Sequence, residues 1–290
     1  MKPLNHLLCL VLCLAFTLTT QAQNESGVDS TGLPGDNFSL QGALQMFQQA
    51  SSPEEFEKLL NTEGNGVNNL DLNGDGDIDY ISVIDKMDKD VHAFILQAIV
   101  SDKERHDIAV IELEKNGDAS AMVQIIGDED IYGEQVIVEP DGGDNGAIIY
   151  DRNERNISGP DPDGYYGNSP IVVNVWLWPS VRFVYAPVYV AWASPWRWRS
   201  YPVWWHPWRP LAWHVFQPLR LGYHRGFVIC HTHRVIRAHR IYTPFRTTSV
   251  IVRNRHSAVV GHYRVTRTTR VIKTNKGPVK VKTTKVRRRG

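Results

Sequence analysis

Residues 108–126 read IAVIELEKNGDASAMVQII, which is two apolar, β-branched segments separated by a turn signal. Segments 108–114 and 120–126 are typical of strands, and the Asn116-Gly117 pair between them is the strongest short signal for a β-hairpin. Strand-like segments at 80–84, 91–100 and 135–138 surround this hairpin, each bounded by turn residues. The sequence therefore predicts a mostly antiparallel sheet of about five strands.

Two short amphipathic helices are predicted before the sheet. Leu40, Ala43, Leu44 and Phe47 recur at helical spacing, so residues 40–47 should present one apolar face. A second helix is expected to begin at Pro53-Glu54-Glu55, with Ser52 as its cap, because proline suits the first helical position and acidic side chains favour the positive end of a helix. Two helices followed by sequential strands indicate an α+β fold.

The charges of the chain are segregated along its length. Among 290 residues, all 31 acidic residues lie at or before Asp163, and the 23 basic residues after it are accompanied by no acid. Residues 23–164 therefore carry a net charge of −23 and residues 165–290 carry +23. A hydrophobic content of 42% excludes uniform disorder. This asymmetry bears on binding partners rather than on the fold.

The first 22 residues have the pattern of a secretory signal peptide. Lys2 precedes an apolar run at 7–16, and small residues precede a cleavage position before Gln23. The run is shorter than the ~20 residues of a membrane helix, although an uncleaved anchor is the alternative. We expect an exported protein, located in the periplasm, at the outer envelope or outside the cell. Cys230 alone remains after cleavage, which excludes an internal disulfide.

Composition divides the remaining chain into five segments. The predicted order is a disordered lead-in (23–38), an α+β domain (39–139), an acidic Gly/Pro linker (140–169), a Trp/Pro-rich β-type segment (170–222) and a basic His/Arg/Lys-rich tail (223–290) that is extended or disordered.

Residues 71–79, DLNGDGDID, place oxygen-bearing side chains at alternate positions of a short loop. Ca²⁺ takes six to eight hard oxygen ligands, and a glycine at the sixth position permits the sharp turn that brings them together. We therefore expect a structural calcium site, with Ile78 anchoring the loop in the core. The predicted ligands are Asp71, Asn73, Asp75, Asp77 (through its backbone carbonyl) and Asp79. The alternatives are an acidic turn that binds no metal and a set of catalytic acids.

This loop resembles the calcium loops of EF-hands, dockerins and FG-GAP repeats. The likeness covers nine to twelve residues and departs from the EF-hand at two points. Ser82 stands where an EF-hand has a bidentate glutamate, and the following residues 80–84 are strand-like rather than helical. The loop-to-strand FG-GAP form is the nearer likeness. The missing carboxylate implies weak binding, with a Kd of about 10⁻⁴–10⁻³ M.

All nine tryptophans lie between Trp176 and Trp213, interspersed with basic residues. Three interpretations are open: a buried core or self-association, a transmembrane span at 171–193, and a surface that contacts a membrane or a polyanion. On the last, the contact residues are Trp196, Arg197, Trp198, Arg199, Trp204, Trp205, Trp208 and Arg209. Export favours an anionic envelope component or acidic polysaccharide over genomic nucleic acid as the partner, and the acidic half of the same protein is a further candidate.

The basic tail contains His224, Cys230, His231, His233 and His239, which could share a transition-metal ion. We favour a solvated basic strand, because the interspersed arginines would oppose a dication and no regular finger spacing accompanies the cluster.

The order of leader, helices, DLNGDG loop, small sheet and Trp/Arg/His-rich end resembles uncharacterised exported bacterial proteins, a likeness that implies domain order but no activity. Together these patterns predict a non-enzymatic exported calcium-binding module with a basic aromatic region that binds an envelope component, a polyanion or a protein partner. The alternative is an exported hydrolase that acts on glycans and carries a structural calcium, with the tryptophans lining a sugar groove.

Overall fold

The computed structural model describes residues 30–142 and 172–268, together with the backbone of two short paired strands, Lys273–Thr274 and Gly277–Pro278. The predicted signal peptide, the first part of the lead-in and most of the linker lie outside these residues. Residues 30–38, predicted as part of a disordered lead-in, are folded: Leu33 and Phe38 are buried, and Asp36 accepts hydrogen bonds from Ser30 and Thr31.

A six-stranded antiparallel sheet forms the centre of the fold, and its strands are neighbours in chain order. This arrangement confirms the predicted α+β class with a mostly antiparallel sheet, and all five predicted strands are present. The sixth strand comes from the predicted basic tail, residues 223–290, which is called the basic segment from here on. The strands are β1 (Ile81–Asp88), β2 (Val91–Ile99), β3 (Arg105–Gly117), β4 (Ser120–Gly127), β5 (Val136–Pro140) and β6 (Phe227–Cys230).

The β3–β4 hairpin forms where the sequence predicts it, with one shift in the turn. Gly117 pairs with Ser120, so the two residues of the turn are Asp118 and Ala119, and the register shifts between Lys115 and Gly117. Asn116 is therefore a bulged residue rather than a turn residue.

Two helices cover one face of the sheet. Helix α1 (Leu40–Gln49) and helix α2 (Pro53–Leu60) begin at the side-chain caps Ser39 and Ser52, whose hydroxyl oxygens accept the Gly42 and Glu55 amides. Their apolar side chains pack against the strands: Phe47 lies 5.0 Å from Phe94 of β2, ring centroid to centroid. Both predicted helices and the Ser52 cap are confirmed.

The opposite face is covered by the basic segment. Helix α6 (Ile236–Tyr242) packs on β1, β2 and β3, and all nine residues of β2 are buried. Between β4 and β5 lies one turn of helix, α3 (Glu129–Tyr132), which contacts the long helix α7 (Val250–Thr268).

The prediction of an extended or disordered tail is wrong for residues 223–268. The segment contributes β6, α6 and α7. Its β-branched and basic composition lacks helical periodicity, and the start of α7 is stabilised from outside the segment. Glu104, which immediately precedes β3, accepts hydrogen bonds from the Ser249 hydroxyl (2.5 Å) and the Ile251 amide (3.1 Å). Capping by a distant carboxylate leaves no local signal in the sequence.

The Trp/Pro-rich segment is not the predicted series of strands. It contains helix α4 (Pro179–Val184) and helix α5 (Trp213–Leu221), joined by irregular chain that makes two isolated bridges, Ile84–Ala193 and Arg197–Ser200. Prolines interrupt strand pairing, so the segment follows the surface of the sheet. Val175, Val181 and Val184 are buried in the core beside α1. These residues belong to the stretch 171–193, for which a transmembrane span was one of the interpretations of the sequence.

Among the residues that the structure describes, no helix combines the length and apolarity required to cross a membrane.

Candidate functional site

The predicted calcium loop is a tight turn held by its own carboxylates. Asp71 accepts the Gly74 amide (2.6 Å) and the Gly76 amide (3.0 Å) through its two oxygens. Asp79 accepts the Leu72 amide at 2.7 Å and is 4% exposed. Gly76 has φ +90°, so the sixth position has the backbone conformation that glycine alone adopts readily.

The electrostatics of the loop centre on Asp79. Burial, and the neighbouring carboxylates of Asp71 and Asp75, raise the pKa of Asp79 to about 8. Asp75 and Asp77 are exposed, and Asn73 donates to the Asp75 carboxylate at 2.9 Å. A buried carboxylate among like charges needs a proton or a cation for neutralisation.

The loop also contacts both parts of the basic half of the chain (residues 165–290), namely the Trp/Pro-rich segment and the basic segment. Ile78 is buried as predicted, and its amide donates to the Trp208 carbonyl at 2.9 Å. From α7, His256 Nε2 lies 3.2 Å from the Leu72 carbonyl. The Arg255 guanidinium rests on Gly74, where an added Cβ would lie 1.9 Å from Cζ, so this position tolerates only glycine without a shift of Arg255.

The predicted aromatic contact residues form a cluster around Trp205. Trp205 is 4% exposed and packs against Tyr80 and Tyr201, with ring centroids at 5.0 and 4.5 Å. It therefore holds the segment to the sheet and is not a surface contact. Trp196, Trp198 and Trp208 pack around it and stay partly exposed.

The exposed members of the predicted contact set are its three arginines and Trp204. Arg197, Arg199 and Arg209 are exposed, and each directly follows a tryptophan of the cluster in the chain. Trp204 is 41% exposed with Lys58 above its ring. A two-residue turn between Arg197 and Ser200, closed by hydrogen bonds of 3.1 and 2.9 Å, places Arg199 at φ +58°. This left-handed conformation is uncommon for a residue with a side chain, and the two hydrogen bonds hold it in place.

A cleft of about 250 Å³ lies beside this turn. Its basic lining residues are Lys103, Arg105 and Arg197, and Trp198 forms an aromatic wall. Arg105 donates to the Trp196 carbonyl (2.9 Å) and to the Ser82 hydroxyl (3.2 Å). Burial, and the positive charge of Arg197, lower the pKa of Arg105, so an anion in the cleft would relieve that repulsion. The acids Asp102 and Glu104 also line the cleft, and Glu104 is engaged by α7.

Glu57 of α2 joins the aromatic segment to the sheet. Its Oε1 accepts the Tyr80 and Ser194 hydroxyls (both 2.8 Å), and its Oε2 accepts the Val83 amide (2.9 Å) and the Trp192 indole N–H (3.3 Å). Burial raises the pKa of Glu57, an effect that these four donors oppose.

The C-terminal part of the basic half contacts acidic groups of the sheet. Arg234 pairs with Glu139 at 3.1 Å, Arg237 with Glu114 at 3.3 Å, and Arg246 with Asp128 at 2.6 Å. The two kinds of basic surface thus differ: residues 233–264 include several ion pairs with the acidic half, whereas Arg197, Arg199 and Arg209 face solvent.

Sequence reasoning missed Lys103, Arg105 and Glu57 as members of this region. The two cations lie in a segment of strongly negative net charge, and Glu57 resembles an ordinary exposed acid of a helix. Its only local signal is its position between Phe56 and Leu60, which are both buried.

Comparison with known proteins returned no match to any protein-family model, curated protein or solved structure.

Proposed function

We propose that this protein is a non-enzymatic, exported, calcium-binding module whose aromatic segment binds an anionic envelope component or acidic polysaccharide. The observation that carries this proposal is the group of exposed arginines Arg197, Arg199 and Arg209 on a rigid aromatic cluster. Burial of Trp205 removes much of the flexibility of the segment, so binding would cost little ordering of the chain.

The cleft beside Trp198 supplies the chemistry of an anion subsite. Arg105 is held in place by two hydrogen bonds to the protein and lies next to Arg197, so an incoming carboxylate, sulfate or phosphate would meet two guanidinium groups at once. Trp198 offers an apolar face for the ring of a sugar or the glycerol part of a headgroup. The rest of the basic half contributes less, because its ion pairs with the acidic half already satisfy several arginines.

For the polyanion we expect that replacing Arg197, Arg199 and Arg209 together with glutamine weakens binding at low salt by roughly 100-fold, at about 1 kcal/mol for each cation near an anionic surface. The measurement is co-sedimentation with anionic vesicles, and retention on immobilised acidic polysaccharide, between 50 mM and 500 mM salt. The matched control replaces the exposed Arg182, Arg240 and Arg253, which changes the net charge equally.

Equal losses of binding in the two triple variants would show that binding follows net charge. That result would contradict a specific site at Arg197, Arg199 and Arg209. Binding that does not change with salt would instead favour contact through the aromatic rings. Shortening of the polysaccharide during incubation would support the hydrolase alternative.

Calcium would act structurally in this proposal, by neutralising the acidic loop that precedes β1. Asp71, Asn73, Asp75, Asp79 and the Asp77 carbonyl supply hard oxygens within nine residues, which is the ligand chemistry that calcium takes. The raised pKa of the buried Asp79 supports a cation beside this loop. The loop contacts Trp208 and α7, so the ion would also stabilise the packing of the basic half.

We expect 5 mM calcium to raise the thermal midpoint by about 3–5 °C relative to a chelator, because a Kd near 0.5 mM stabilises the folded state by about 1.4 kcal/mol. Asp75→Ala should remove this response, whereas Asp118→Ala, which removes an exposed acid from the β3–β4 turn, should keep it. Scanning calorimetry with and without calcium makes the measurement. An unchanged wild-type melt would remove the ion from the proposal.

A further inference from the structure

A second group of metal-binding side chains lies on the sheet face that α6 covers. Side chains alternate along β3, so Ile111 and Leu113 face the core with α1 and α2, while Glu112 faces the basic segment. Glu112 is fully buried. Its two carboxylate oxygens lie 2.5 Å from His233 Nε2 and 2.7 Å from His239 Nδ1.

The two imidazoles lie close enough to share an ion with Glu112. Their ring centroids are 4.7 Å apart, nearly perpendicular, and the three ligand atoms all lie within 4.8 Å of one another. Zn²⁺ bonds of ~2.0–2.1 Å would require each N···O separation to widen by about 0.5–0.8 Å. Both histidines have room to move, because His233 lies in the irregular chain between β6 and α6 and both side chains are partly exposed.

Two of the arginines near these histidines, Arg234 and Arg237, oppose a cation less than the sequence suggests, because carboxylates already pair with them. Arg234 donates to Glu139 and Arg237 pairs with Glu114. Cys230 stands apart from the group, since its sulfur contacts Gln124 and the Thr232 carbonyl, and burial raises the pKa of its thiol to about 12. The ligand set is therefore two histidines and one carboxylate.

Another group of metal-ligating side chains in the protein is not suited to a metal, because an arginine already occupies it. His106, Asp128 and Asp130 also converge, but the Arg246 guanidinium contacts both aspartates at 2.6 and 3.3 Å and supplies the positive charge. Between Glu112, His233 and His239 the bridging atoms are only the hydrogen-bonded protons, which a metal displaces on binding.

We propose that Glu112, His233 and His239 form a binding site for a divalent transition ion of the zinc class. Two imidazoles and one carboxylate favour zinc, copper or nickel over calcium, so the site is chemically distinct from the 71–79 loop. The side chains of His233 and His239 are 18% and 29% exposed, so water from solvent completes the coordination. The ion would link β3 to the basic segment, and its existence does not depend on the proposed polyanion binding.

The test is titration of the metal-free mature protein with ZnCl₂ at pH 7.5 in 5 mM calcium, followed by calorimetry, with CoCl₂ as a spectroscopic probe. We expect one equivalent of zinc with a Kd in the micromolar range, a zinc-dependent rise in the thermal midpoint, and a visible cobalt spectrum that zinc bleaches. His233→Gln and Glu112→Gln should each weaken zinc binding at least tenfold, whereas the control His206→Gln, an exposed histidine of the aromatic segment, should leave it unchanged.

The His233 side chain is partly exposed, so the His233→Gln variant should fold. This variant keeps the test valid if the Glu112→Gln variant fails to fold. Zinc binding weaker than 1 mM in wild type, or equal binding in wild type and His233→Gln, would overturn the proposal. Equal losses in His206→Gln and His233→Gln would also overturn it, because they would indicate scattered surface histidines.

Discussion

Glu57→Ala should cost about 3–5 kcal/mol of unfolding free energy and lower the thermal midpoint by about 10 °C. The substitution leaves four donors without their acceptor, and an unsatisfied buried donor costs about 1–3 kcal/mol. Two of the donors, Trp192 and Ser194, belong to the aromatic segment. Of the other two, Tyr80 directly precedes β1 and Val83 lies within it. Loss of this carboxylate should therefore loosen the segment as well as destabilise the core.

Denaturant unfolding monitored by circular dichroism and tryptophan fluorescence measures both effects. Glu57→Gln should be intermediate, because one side-chain oxygen remains while the new amide opposes the N–H donors. Glu54→Ala, an exposed acid in the first turn of the same helix, is the control and should cost less than about 1 kcal/mol, the value of a carboxylate at a helix N-terminus. A loss in Glu57→Ala no larger than that of the control would contradict the anchoring role of Glu57.

The second large effect is expected at the contact between the basic segment and α3. Arg246 donates to both oxygens of Asp128, at 2.6 and 2.9 Å, and the Asp128 side chain is 3% exposed. Arg246→Ala would leave this carboxylate buried without its cation, for which we expect a loss of about 2–3 kcal/mol, below the value for a fully buried pair because the Arg246 side chain is 31% exposed.

A double-mutant cycle separates this pair from the general effect of charge. Asp128→Asn together with Arg246→Ala should be less destabilised than the sum of the single variants, with a coupling of at least about 1 kcal/mol. Arg253→Ala on α7, an exposed arginine, is the matched control for the loss of one positive charge. Zero coupling, with Arg246→Ala equal to Arg253→Ala, would mean that ion pairs do not hold the basic segment to the sheet.

The ion pairs also change what the charge segregation of the chain implies. Opposite charges in two halves predict either an external anionic partner or the acidic half itself. In the structure both possibilities apply, to different parts of the chain. Arg234, Arg237 and Arg246 pair with acidic residues of the same protein, whereas Arg197 and Arg199 are exposed. The adhesive surface in our proposal is accordingly small, and much of the basic half serves the fold.

Local patterns in the sequence predicted the parts of the fold that local physics determines. Period-2 and period-3.6 spacing identify the five strands β1–β5 and the helices α1 and α2, and the capping chemistry of Ser52 and Pro53 identifies where α2 begins. The 71–79 loop is recognisable for the same reason, because its glycines and acids act within nine residues.

The sequence alone thus determined strands β1–β5, the first two helices, the α+β class and the acidic loop, all of which depend on neighbours a few positions away. Only the tertiary structure decided that the basic segment completes the sheet and forms helices, and that Glu112 meets two histidines. The partners in these contacts are far apart in sequence: Arg246 and Asp128 by 118 residues, and His239 and Glu112 by 127. Coulombic attraction and desolvation depend on distance in space, which periodicity and composition do not encode.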